Sequence, residues 1–114
     1  MKNEINILDI APPTVGQMME SVVGCKWSLN VIDLIRNGVN RPGKMEHAIE
    51  GLSAKVLNER IRKLSHFGII QKHVFAETPP RVEYHLTEFG GRFANILDSI
   101  HALQSTVESV NKKP

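Results

Sequence analysis

The residues with the most chemistry in this 114-residue chain are Lys55, Asn58, Glu59, Arg62 and His66. Steps of three and four positions put them on one face of a helix. Lysine offers a point charge, and arginine a planar fork that pairs with a phosphate or chelates a guanine edge. Asparagine both donates and accepts hydrogen bonds. Ser53, Ala54 and Lys55 open the same helix, and its N-terminal residues would lie nearest the base edges if it entered a major groove. Exposed helix faces are polar as a rule, so the stripe gains meaning only from its place in a fold. Three more basic residues stand nearby. Arg41 and Lys44 begin the preceding segment and are placed to clamp phosphates. Arg81 follows Pro79-Pro80 at the expected tip of a hairpin, where a guanidinium would reach a minor groove or a phosphate. The plainer reading of Arg81 is an ordinary exposed turn arginine, or one that pairs with Glu77 or Glu83.

Other chemistries have thinner support. Cys25 is a candidate redox residue, because a cation beside it (Lys26) would lower a thiol pKa. The reading as a small buried hydrophobe next to Trp27 is preferred. His47, His66, His73, His85 and His101 show no ligand pairing, so no metal or other cofactor is expected. The chain holds no glycine-rich phosphate loop, nucleophile elbow or paired-carboxylate motif, and catalysis is not expected.

Composition agrees with a single folded domain: 41% hydrophobic and 23% charged residues. One cysteine excludes an internal disulfide. The sequence contains no apolar run of the roughly 20 residues a membrane helix needs, and its first residues lack a signal-peptide pattern. A cytoplasmic location is the expectation. The net charge is only +2, yet residues 41–92 hold nine basic and six acidic side chains, a local excess of three. The basic bias therefore has an address, as a polyanion partner requires.

The elements that must position these residues can be read in order. Residues 1–13 form an expected flexible arm ending in Pro12-Pro13. Thr14 and Gln17 make a capping box for a helix to about Val23, with Val15, Met18, Met19 and Val22 on one side. A second helix over about 28–37 carries Trp27, Val31, Leu34 and Ile35 at core spacing. A short helix over 41–49 and a break at Gly51 precede the helix over about 53–67, whose inner stripe is Leu57, Ile61 and Leu64. The period then changes to that of two strands, 69–76 and 82–86, joined by a proline-stiffened loop. Thr87 caps a last long helix, on which Phe89, Phe93, Ile96, Ile100, Leu103, Val107 and Val110 alternate by four and three as a coiled-coil seam does. Residues 111–114 are an expected tail. Two helices joined at a tight turn and followed by a hairpin spell a winged helix-turn-helix: an α+β, mostly helical domain over 14–110 with a two-stranded wing and a long dimerisation helix.

At the level of motifs the chain resembles the HxlR-type transcriptional regulators, relatives of the MarR group. The resemblance rests on Gly24-x-Lys26-Trp27, Gly51-Leu52-Ser53-x-Lys55-x-Leu57 and the run Pro79-Pro80-Arg81-Val82-Glu83-Tyr84-x-Leu86-Thr87-Glu88-Phe89-Gly90, and covers about residues 14–103. It implies a homodimeric regulator that represses or activates nearby genes, often in response to electrophiles or oxidants, and that dimerises through its first and last helices. Val15, Met18, Met19, Val22, Ile96, Ile100, Leu103 and Val107 are the expected dimer contacts, while Glu83 and Tyr84 hold the wing to the body. The chain departs from the family pattern in lacking a cysteine before the first helix and in having Cys25 in place of a glycine. It also reads Arg41-Pro42-Gly43-Lys44-Met45 where an Arg-Phe-x-Glu-Leu pattern is usual.

The expected partners are double-stranded DNA, bound at an inverted repeat, and a second copy of the chain. A small-molecule effector stays open in identity and site. The competing reading is a winged helix that binds a partner protein and not DNA.

Overall fold

The structure, a computed structural model, describes residues 12–111. Most of the expected N-terminal arm, residues 1–11, and residues 112–114 of the expected tail lie outside the described residues. Asn111 is the last residue of a helix.

Among the described residues the chain order is α1 (Val15–Val23), α2 (Lys26–Arg36), α3 (Pro42–Ala48), α4 (Ala54–His66), β1 (Ile70–Phe75), β2 (Arg81–Leu86) and α5 (Glu88–Asn111). The caps form where the sequence places them. Thr14 Oγ1 accepts from the Gln17 amide while the Gln17 side chain accepts from the Thr14 amide, closing the capping box on α1. Ser53 Oγ accepts from the Val56 amide at the start of α4. Pro42 occupies the first turn of α3, where its missing amide proton costs nothing.

The core lies where α2, α4 and the hairpin meet. Leu57, Ile61 and Leu64 of α4 pack against Val31, Ile32 and Ile35 of α2, with Met45 from α3 and Ile69 and Ile70 at the start of the hairpin. The buried stripe of α2 is rotated from the sequence reading. Ser28, Val31, Ile32 and Ile35 are buried, whereas Trp27 and Leu34 lie half-buried on its flank. Periodicity finds the face of a helix but leaves its edge residues undecided, because an apolar arc more than 100° wide admits either edge.

β1 and β2 pair antiparallel, with Ile70 opposite Leu86, Lys72 opposite Tyr84 and Val74 opposite Val82. Those six residues share one face of the hairpin. Gln71, His73 and Phe75 share the other face with His85, Glu83 and Arg81. The hairpin is anchored twice. The Tyr84 amide donates to the carbonyl of Asn40 beside α3. At the other end Thr87 Oγ1 donates to the Gly68 carbonyl at 2.6 Å and accepts from the Gly90 amide at 2.8 Å, so one hydroxyl both caps α5 and straps it to the end of α4.

The long helix divides its faces. Phe93, Ala94 and Leu97 enter the subunit core, and Arg36 of α2 pairs with Asp98 at 3.0 Å. Phe93, expected on the coiled-coil seam, is thus an intrachain core residue. Residues 101–110 are exposed throughout. The radius of gyration, 17.1 Å, exceeds the roughly 13 Å of a compact chain of this size, because the end of α5 projects from the body.

Gly90 sits where α5 crosses the start of β1. A Cβ there would collide with the Ile69 carbonyl, a backbone group that cannot step aside. Gly90→Ala should therefore destabilise the fold by about 2 kcal/mol or more, read as a Tm lowered by several degrees. Gly91, whose added Cβ would meet nothing within 4 Å, serves as control; equal melting of the two alanine variants would refute the close approach.

Candidate nucleic-acid interface

Burial of Leu57, Ile61 and Leu64 orients α4, and the opposite face carries what the sequence placed there. Lys55, Asn58, Glu59, Arg62 and His66 are all exposed, as are Ser53 and Ala54 at its start. Ser53 uses an oxygen lone pair for the helix cap and keeps its hydroxyl proton available. The remaining basic residues of α4 do different work. Lys63 Nζ reaches the Ser21 carbonyl at 3.5 Å, tying α4 to α1, and Arg60 is half-buried.

The hairpin stands beside α4 and forms an open groove with it. Asn58, Arg62 and Ser65 line one wall; Gln71, Lys72 and Tyr84 line the other. Among the described residues neither Arg62 nor Lys72 makes an ion pair. Lys72 was absent from the sequence reading of the site. The signal was there in the strand's period of two: counting from buried Ile70, position 72 falls on the face turned toward α4.

Arg81 stands elsewhere. It begins β2 behind the tip of the loop, on the opposite face of the hairpin, with its guanidinium 4.1 Å from the centroid of the Phe75 ring. It pairs with Glu77 and with Glu83, each at 3.4 Å. The structure thus gives Arg81 the plainer of its two readings and removes it as a free wing-tip cation. Arg41 also reaches Glu83, at 3.7 Å, so this phosphate-clamp candidate is partly engaged within the subunit, whereas Lys44 stays exposed.

Glu83 is the hub. Its side chain, 16% exposed, faces Arg41, Arg81 and His85, whose Nε2 lies 3.0 Å from Oε1. The His85 hydrogen bond, helped by the charges of Arg81, His85 and Arg41, holds the carboxyl below its usual value of 4.5 against the opposing effect of burial. Glu83 and Tyr84 therefore fasten the wing to the body, one through a side chain and the other through its amide.

Cys25 occupies the N-cap position of α2 and is partly exposed, which departs from the buried-hydrophobe reading. Burial raises its thiol pKa, but the hydroxyl and amide of Ser28 beside it, with the charges of Arg60 and Lys63, bring it below the usual value. The cations that act on it come from α4. Lys26, the sequence candidate, lies over the Trp27 ring at 5.7 Å.

Two dimer candidates change role. Val22 is fully buried and Met18 nearly so, both inside the subunit core, because α1 needs that face to pack on α2. Val15 and half-buried Met19 remain at the surface of α1, and Ile96, Leu103 and Val107 are exposed on α5, with Ile100 half-exposed. Among the described residues no cluster of three His, Cys, Asp or Glu side chains is placed to hold a metal ion, and no helix is long and apolar enough to cross a membrane.

Comparison with known proteins gives this arrangement a context. Residues 22–111 match the family described as HxlR-like helix-turn-helix. The uncharacterised HTH-type transcriptional regulator sll1512 of Synechocystis is 41% identical over 80 residues, 70% of this chain and 59% of that protein. The chain thus spans about three-fifths of that relative's length. Among solved structures, a transcriptional regulator of the MarR family from Enterococcus faecalis superposes with a TM-score of 0.76 at 29% identity, covering 94% of this chain and 97% of that one. The reduced form of the regulator YodB from Bacillus subtilis gives 0.67 at 29% identity, with 75% and 83% covered.

A group whose folded pKa is depressed stabilises the fold above its unfolded value and loses that effect as pH falls through the folded one. Glu83 is such a group. Glu83→Gln should melt below wild type at neutral pH, and the gap should close as the pH drops below about 4.5. Thermal unfolding of both proteins across that range checks this; a gap constant with pH would show that the Glu83 charge contributes nothing.

Proposed function

Since the chain belongs to the HxlR-like helix-turn-helix family of transcriptional regulators, we propose that it binds duplex DNA as a homodimer at an inverted-repeat operator. The observation that carries this reading is the exposed outer face of α4, with Lys55, Asn58 and Arg62 held outward by burial of Leu57, Ile61 and Leu64. A helix fits the major groove of B-DNA, and side chains of these types read base edges and phosphates there. Asn58 is the base reader, and Arg62 pairs with a guanine edge or a phosphate. Ser53, Ala54 and Lys55 form the leading turn, and Lys44 contributes charge from α3. Arg41 and Arg81 support the wing in place of contacting DNA.

Dimerisation rests on α5. A helix whose residues 101–110 are all exposed is marginal in water by itself. Ile96, Ile100, Leu103, Val107 and Val110 nevertheless set an apolar seam along it, with Leu103 69% and Val110 61% exposed. Burying a Leu- or Val-sized side chain contributes about 1.5–3 kcal/mol, and two-fold symmetry doubles every contact. Val15 and Met19 of α1 extend the seam. The paired recognition helices would then stand about 34 Å apart, one turn of B-DNA. Regulation follows from occupancy of the operator, which blocks or recruits the polymerase without chemistry on the DNA.

Two outcomes test the reading. Asn58→Ala should cost about 1–3 kcal/mol on the selected operator and flatten the preference at one base pair per half-site, measured by selection from random duplexes and competition binding. An unchanged base preference would remove α4 from the major groove. Leu103→Glu together with Val107→Glu should sediment as a monomer and bind the operator poorly; wild type that sediments as a monomer at micromolar concentration would reject the dimer.

A further inference from the structure

We infer that the groove between α4 and β1 is the seat of a DNA phosphate ridge, and that Lys72, not Arg81, is the wing residue that contacts the backbone. The inference rests on the DNA-binding reading above and specifies how the wing takes part in it.

Charge is the first argument. On the far face of the hairpin Arg41 and Arg81 are matched by Glu77 and Glu83, two charges of each sign. The rest of the loop ahead of it, Thr78-Pro79-Pro80, carries no charge. The near face differs. The groove is lined by Arg62 and Lys72 and by no acidic residue, which gives it a charge of +2. Neither cation is held by a carboxylate among the described residues, so neither must break an ion pair to meet a phosphate.

The second argument is the donor set. Ser65 and Tyr84 line the groove with the two cations. Neutral donors of these types, with lysine and arginine, supply most phosphate and sugar contacts in protein–DNA interfaces. Beneath them the groove is floored by the buried side chains of Ile61 and Ile70. A low-dielectric floor strengthens pairing between a cation at the wall and an anion in the groove.

Geometry completes the case. A helix lying in the major groove has a sugar-phosphate ridge along each side. A wing projecting next to that helix must straddle the ridge on its own side, and β1 is the wing strand that packs on α4. Strand alternation turns Lys72 toward α4 and Arg81 away from it. The ridge therefore meets Lys72 before any other wing cation.

The experiment measures affinity for the selected operator and for a pool of random-sequence duplexes as a function of salt, for wild type, Lys72→Ala and Lys72→Arg. Loss of one phosphate contact lowers the log–log salt slope by about 0.9 per subunit. For a dimer, raising salt fourfold should then cost Lys72→Ala about tenfold less affinity than wild type. Base preference should be unchanged, and Lys72→Arg should restore the slope. Lys72 is exposed, and equal melting temperatures would show that all three proteins are folded. A Lys72→Ala slope equal to that of wild type would overturn the inference while leaving DNA binding intact. So would a change in base preference, which would make Lys72 a base reader. Wild type without salt-dependent duplex binding would overturn the DNA-binding reading itself.

Discussion

The molecule depends on the burial of one stripe of α4. Leu57, Ile61 and Leu64 are held between α2 and the start of the hairpin, and that packing fixes the rotation of the helix about its axis. A helix anchored along one side presents the other at a fixed angle, so the exposure of Lys55, Asn58 and Arg62 follows from apolar contacts on the opposite side. The Gly51 turn, with its positive φ beside the Trp27 ring, and the Ser53 cap set where α4 begins. The function proposed for the outer face is thus a product of the inner one.

A second constraint sorts the cations. Sequence alone counts an arginine as a positive charge, but its use depends on what stands beside it. Glu83 gathers Arg41, Arg81 and His85 on one face of the wing and turns them into the fastening that keeps the hairpin upright. Lys63 is drawn inward to α1, and Arg36 joins α2 to α5. Those that remain, Lys44, Lys55, Arg62 and Lys72 among them, carry the field a polyanion would meet.

The element order, the Thr14–Gln17 box, the caps at Ser53 and Thr87, the inner stripe of α4 and its polar outer stripe were all legible in the sequence. Each depends on residues within one or two turns of one another, where spacing determines geometry. The misplacements have one cause in common. Spacing puts Val22 and Met18 among the dimer contacts and Phe93 on the coiled-coil seam, yet the subunit's own core takes all three. An apolar residue on a helix shows that it must be covered but not by what. Arg81 and Cys25 went astray in the same way, since the groups that act on them come from a facing strand residue, Glu83, and from α4.

By itself the sequence determined the local periods: which stretches are helix or strand, where they start and stop, and which face of each is apolar. Motif spacing in the hairpin and the helix-turn-helix also determined the family. Only tertiary structure decided which charges are free and which are neutralised, because ion pairing is a matter of distance between elements far apart in the chain. It likewise decided that the two faces of one short hairpin have opposite roles. The register of β1 against β2 and the side on which α4 packs set that division, and neither can be read from either segment alone.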